Sequence, residues 1–144
     1  MSAGKDWLDR EAARRNADRA SATYDASAVL QARLRQQMIE RLEWIAFTPE
    51  SVVDLGCGTG HAARALGARW PQSRVIAIDV APAMLAEAAR QDGPGRCEYL
   101  GADALALPLP DASVDLVFSN LMLPWCDDPD AVVFEIARVL RPRG

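Results

Sequence analysis

The feature that most constrains this chain is the run Val-Val-Asp-Leu-Gly-Cys-Gly-Thr-Gly at residues 52–60. The apolar residues around Ser51–Leu55 predict a short, fully buried strand, and a helix is predicted after the glycines. Gly56, Gly58 and Gly60 let the backbone turn sharply between the two and let a ligand approach where a side chain would collide. A plain structural turn competes with this reading; the strand before and the helix after favour a binding loop. The dinucleotide fingerprint GxGxxG would need glycine at position 61, and the chain has His61 there. Asp54, at the end of the strand, is an awkward neighbour for phosphates and suits a cationic ligand such as an ammonium or sulfonium.

The same alternation continues down the chain. Pro71-Gln72-Ser73 turns into a second strand over Arg74–Asp79, and a helix follows with Pro82 in its first turn. Gly93-Pro94-Gly95 breaks that helix before a third strand over 97–100. A proline-punctuated loop over 107–111 leads to a fourth strand over 114–119. The last helix has Asp128 as N-cap, Pro129 at its first position, and the apolar stripe Val132, Val133, Ile136, Val139 and Leu140. Upstream, residues 6–20 predict a charged helix, 21–25 a break, and Leu30, Leu34, Met38, Leu42 and Ile45 the stripe of a second helix, ended by Thr48-Pro49. The division expected is a helical arm or lid over 1–47 and an α/β domain over 48–144. Apolar strands alternating with helices predict a doubly wound parallel sheet covered on both faces. Such sheets bind ligands beyond the carboxyl ends of their strands.

Composition narrows the function. The 144 residues suit one domain with a single core. Residues 1–44 carry eight basic and seven acidic side chains, and residues 45–144 carry eight and thirteen. That balance speaks against general nucleic-acid binding, which needs a positive surface. Cys57, Cys97 and Cys126 are isolated, and with one histidine they give neither a disulfide frame nor a metal cluster. Cys57 reads as a small residue in a tight turn rather than a nucleophile. No apolar run spans a bilayer, and Asp6, Asp9 and Glu11 oppose a targeting segment, so no membrane association and a cytoplasmic location are expected.

Polar residues recur after each strand. Asp79 stands 19 residues beyond Gly60, where a carboxylate can accept both hydrogen bonds of a ribose diol; capping the next helix is the competing role. Ala81 and Met84 stand where an adenine ring can rest, although Met84 equally suits the core. Asp103, after Gly101-Ala102, can accept from an adenine amino group or cap its own loop. Ser119-Asn120-Leu121 closes the fourth strand.

VVDLGCGTG, the acidic end of AIDVAPAML, GADA and PLPDASVDLVFSN together resemble the successive motifs of the class I methyltransferases, over roughly residues 51–144. The resemblance implies a Rossmann-like fold and S-adenosyl-L-methionine as cofactor. By position it implies that Gly56, Cys57, Gly58 and Gly60, with Asp54, Asn120 and Leu121, meet the methionine part. Asp79 and Val80 would meet the ribose side, and Met84, Asp103 and Ala104 the adenine.

A narrower resemblance extends outside that core. RRNADRASATYDASAVLQ at residues 14–31 and SNLMLPWCDDPDAVVFEIARVLRP resemble the malonyl-acyl-carrier-protein O-methyltransferases of biotin synthesis. It adds Tyr24 and Gln31 to the cofactor-contacting set, Tyr24 as a lid residue. Ala17 and Pro124 depart from that family's pattern, where an aromatic residue and a glutamine are usual. Methyltransferase-like assembly factors, some of them hydroxylases, share the arm and give the alternative reading. An acceptor carboxylate is already ionised at neutral pH, so methyl transfer to it needs alignment in a dry cleft rather than a general base. The expected partners are a small or carrier-bound carboxylate substrate and an acyl carrier protein; Arg15, Arg19 and Arg33 along the arm could help dock the carrier, and for each one alone a solvated helix face is the stronger reading. ARVLRPRG resembles the approach to a fifth strand, with Arg143 where a glycine-rich turn is usual. A complete class I sheet has more strands than the four readable here, so strand four is expected to be an open edge prone to self-association.

Overall fold

The computed structural model describes Arg15, residues 29–93 and residues 96–144. Apart from Arg15, the expected helix over 6–20 lies outside the described residues, as does Tyr24. Helix α1 spans Val29–Arg41 and tightens into a 3-10 turn at Leu42–Trp44. Then come β1 (Ser51–Leu55), α2 (His61–Arg69), β2 (Arg74–Asp79), α3 (Pro82–Asp92), β3 (Cys97–Gly101), β4 (Leu116–Phe118), a 3-10 turn at Leu123–Trp125 and α4 (Pro129–Val139).

The strands form one parallel sheet in the order β3-β2-β1-β4. All five residues of β1 are buried, as befits an apolar run placed between two neighbouring strands. Its side chains alternate between two apolar layers. Val52 packs with Leu66, Trp70, Val75 and Phe118 on the face covered by α2, with Met38 of α1 and Leu85 of α3 at its margin. Val53 and Leu55 pack with Ile76, Ile78, Val132 and Val139 on the face covered by α4 and the loop around Leu107. This is the doubly wound arrangement the alternation predicts.

Three details differ from expectation. The fourth strand is shorter than 114–119, because side chains and a second partner take its ends. At the start, the Asp115 carboxylate accepts from the N–H groups of Glu50 and Ser51 at 2.8 and 2.9 Å. Val114 forms a parallel bridge with Leu140, so the chain after α4 already covers the beginning of the edge expected to be open. At the far end, the Ser119 hydroxyl donates to the Leu55 carbonyl in place of a backbone ladder bond. Second, the α1 stripe is not a buried seam: Leu30 is 68% exposed, Leu42 is buried but lies in the 3-10 turn, and Ile45 follows it. Third, Val133 is 51% exposed, because the helical period turns it away from Val132, Ile136 and Val139.

The predicted helix starts hold. Pro82 opens α3, and Pro129 opens α4 behind Asp128, whose side chain accepts from the Ala131 N–H. Such a cap is worth about 0.5–2 kcal/mol. Among the described residues no helix is long and apolar enough to cross a membrane.

Candidate functional site

The parallel sheet carries the ends of β1, β2, β3 and β4 to one edge, and the loops that follow them form the candidate site. The loop after β1 is built by glycine. Gly56 has φ +74°, and a Cβ there would lie 2.5 Å from Met122 Cγ. Gly60 has φ +81°, and a Cβ there would lie 2.9 Å from the Ala88 methyl. The N–H groups of Gly56 and Cys57 both donate to the Ile78 carbonyl, at 2.8 and 2.9 Å, which locks the loop to the end of β2.

Asp79 completes that lock. Its Oδ2 accepts from the Gly58 N–H at 2.8 Å and its Oδ1 from the Ala81 N–H at 2.9 Å. The N-cap position of α3 is Ala81, so the capping role considered for Asp79 takes the form of a side-chain turn onto the residue two places on. From the outer side Arg64 braces the same loop. It donates to the Thr59 carbonyl at 2.8 Å and to Gln91 on α3 at 2.9 Å, and its Nη2 lies 3.3 Å from His61 Nδ1.

Asp54 lies beneath the loop, 2% exposed. The Ala63 N–H donates to its carboxyl group, yet Oδ2 has no hydrogen-bond partner among the described residues. Burial pushes its pKa from 3.8 up to about 7, the Asp79 charge pushes the same way, and the Ala63 bond and Arg35 pull against them. The Cys57 thiol is pushed far above its usual range by burial and by the charges of Asp54 and Asp79. It is therefore no nucleophile, in line with the small-residue reading.

The remaining expected residues sit around this centre. The Ala102 N–H donates to the Asp79 carbonyl at 3.1 Å, which brings the Asp103 turn beside β2. Asp103 Oδ1 accepts from the Leu105 N–H at 2.9 Å, so the loop-capping role is realised; Ala104 is half-buried next to it. Val80 is exposed at the rim, whereas Met84 is buried on α3. On the other side, Asn120 Nδ2 donates to the Gln31 carbonyl at 3.1 Å, tying α1 to the end of β4. The Gln31 side-chain oxygen is buried without a partner among the described residues. Leu121 takes φ +57°, a left-handed conformation rare outside glycine. Two residues escaped the sequence reading. Arg64 is one charge on a helix and Met122 lies outside any periodic stripe, yet both touch the glycine loop. Among the described residues no group of three or more His, Cys, Asp or Glu side chains could hold a metal ion.

Known proteins place this geometry. The family described as Methyltransferase domain matches residues 53–144, from β1 to the last residue of the chain. The chain belongs to the methyltransferase-domain family. Members of this family use S-adenosyl-L-methionine as methyl donor. Two curated relatives are named malonyl-[acyl-carrier protein] O-methyltransferase. One, from Methylovorus sp. (strain MP688), is 46% identical over all of this chain and 51% of its own length. The other, from Halorhodospira halophila, is 43% identical over 95% of this chain and 47% of its own length. This methyltransferase domain thus spans about half the length of the curated relatives it matches. A solved Methanococcus maripaludis structure, titled as a candidate S-adenosyl-L-methionine-dependent methyltransferase, superposes with a TM-score of 0.72 at 23% identity. It covers 100% of this chain and 64% of that one, a likeness of fold.

Proposed function

We propose that this protein binds S-adenosyl-L-methionine along the carboxyl edge of its sheet and methylates the free carboxylate of a malonyl group carried on acyl carrier protein, a step of biotin synthesis. The observation that carries the cofactor part is the buried, unpartnered Oδ2 of Asp54 beneath the glycine loop at the carboxyl edge of the sheet. A deep carboxylate oxygen with no donor fits a cationic ligand.

The residues fit the other parts of that ligand in kind. Asp79 and Val80 supply acceptors and an apolar surface for the ribose side. Met84, Asp103 and Ala104 line the adenine side, and Gly56, Cys57, Gly58, Gly60, Asn120 and Leu121 surround the methionine part. When bound, the cofactor supplies an electrophilic methyl group on sulfur. The chain's own task is then to bind, align and exclude water. The Asn120–Gln31 bond holds α1 beside the site for that purpose.

The acceptor part rests on the relatives' names and on chemistry. A malonyl carboxylate is ionised at neutral pH, so no base is needed. Cys57 is unsuited to nucleophilic work, and His61 lies against Arg64 on the outer side of the loop. Arg15 and Arg33 are exposed and would meet an acidic carrier; Arg19 lies outside the described residues. The test is methyl transfer from labelled cofactor to malonyl-acyl carrier protein, with acetyl-acyl carrier protein, which lacks the free carboxylate, as control. Label on the malonyl form alone is expected. Label on neither, with folded protein, refutes the acceptor.

A further inference from the structure

The most unusual charged group in the molecule is Asp54. It lies at the end of the central strand, beside Ala77 of β2 and Phe118 of β4, where neither neighbour offers a donor side chain. It is 2% exposed, and Oδ2 has no partner among the described residues. An ionised carboxylate with one oxygen dry and unpaired is strongly disfavoured. Such a group keeps a proton unless a cation comes to it.

The surroundings can be taken element by element. From β2 the Asp79 carboxylate repels a second negative charge. From the loop after β1 the Cys57 thiol, itself buried, adds no positive charge. From α2 comes the Ala63 N–H, and from α1 the charge of Arg35, which favours ionisation but ranks last among the influences on Asp54. Below neutral pH the protonated form prevails, in agreement with a pKa raised to about 7.

We propose that Asp54 holds a proton in the ligand-free protein and releases it when a cationic ligand seats in the cleft, so that cation binding is coupled to proton release. The balance is simple: the carboxyl O–H bond breaks, the proton leaves to solvent, and the remaining carboxylate pairs with the ligand's ammonium or sulfonium. The inference rests on the cofactor reading above and adds to it a charge state and a pH dependence. Below about pH 7 each bound cation must displace a proton, so affinity falls as pH falls; above it the carboxylate is already ionised and the dependence levels off.

Two measurements test it. Carbon-13 NMR of aspartate-labelled, ligand-free protein, with Asp54→Asn to assign the signal, is expected to show one carboxyl group titrating near neutral pH. Calorimetric titration with S-adenosyl-L-methionine at about pH 6, in buffers of different ionisation enthalpy, is expected to show wild type releasing close to one proton more than Asp54→Asn. At about pH 8.5 that difference should vanish. An Asp54 signal that is ionised throughout this range overturns the inference and leaves the cofactor reading intact. So does tight binding with equal proton counts in wild type and variant. A folded chain that binds no S-adenosyl-L-methionine overturns the cofactor reading, and the coupling falls with it.

Discussion

Gly60→Ala should destabilise the fold by about 1–5 kcal/mol, and shaving the methyl of Ala88 should recover part of that loss. Two effects add. Gly60 has φ +81°, and an L residue in the left-handed region is disfavoured by about 1–2 kcal/mol. Reduced freedom of the unfolded chain offsets about 0.4–1 kcal/mol of this. The new methyl would then lie 2.9 Å from the Ala88 Cβ and 3.0 Å from Arg64 Nη1. Carbon atoms pack comfortably at about 3.5–4.0 Å. The Arg64 end can swing aside, but Ala88 is fully buried on α3 and cannot, so α2 and α3 must separate. Overpacking of that kind costs about 1–3 kcal/mol. In an Ala88→Gly background the nearest fixed atom is the Cα, at 3.5 Å, an ordinary contact. Ala88→Gly is itself destabilising by about 1 kcal/mol in a helix interior. Urea denaturation of wild type, both single variants and the double variant gives the cycle. The expected result is a favourable coupling of about 1–3 kcal/mol, with the φ strain left over. Gly60→Ala within about 0.5 kcal/mol of wild type would refute the left-handed loop, and additive effects would refute the Ala88 contact.

Three smaller predictions follow from the same structure. Gly67→Ala should stabilise by about 1 kcal/mol in thermal or urea denaturation, because its Cβ would meet Val75 Cγ2 at 3.8 Å, in ordinary contact, within α2. Arg143 has φ +78°, so Arg143→Gly should raise stability by about 0.5–1 kcal/mol in the same assay, the strain relieved exceeding the added chain freedom. Asp54 has a pKa raised from 3.8 to about 7, so between those values the folded state holds a proton the unfolded state has lost. Stability should therefore fall as pH rises through that window and level off above it, by at most about 4 kcal/mol at about 1.4 kcal/mol per pH unit. Asp54→Asn should flatten this component in a pH series of urea melts, and an unchanged slope would contradict the burial account.

Much of the fold was legible because its signals are local. Four apolar runs separated by turn residues mark the strands, and Pro82 and Asp128-Pro129 mark two helix starts. What was not legible depends on long-range pairing. Nothing near residue 114 in the sequence shows that Leu140 will pair with it on the side away from β1. The exposure of Leu30 and Val133 also depends on what each helix meets, and periodicity alone overstates both stripes. For the site, the aspartates after successive strands were readable by type and place. The double acceptance by Asp79, the brace from Arg64 and the contact of Met122 with Gly56 are tertiary facts that no spacing encodes. Arg143 is an instructive middle case: its departure from a glycine-rich turn was visible, and its positive φ gives the physical reason glycine suits that place.

Above all, the carboxyl edge of this sheet should bind S-adenosyl-L-methionine. The most direct measurement is a proton–nitrogen NMR titration of the labelled chain with that compound. The account predicts saturable shifts concentrated at the N–H groups of Gly56, Gly58, Gly60, Asp79 and Asp103. A folded spectrum that does not change, or one whose shifts gather at the opposite edge around Ser51, Arg74 and Leu116, would contradict it.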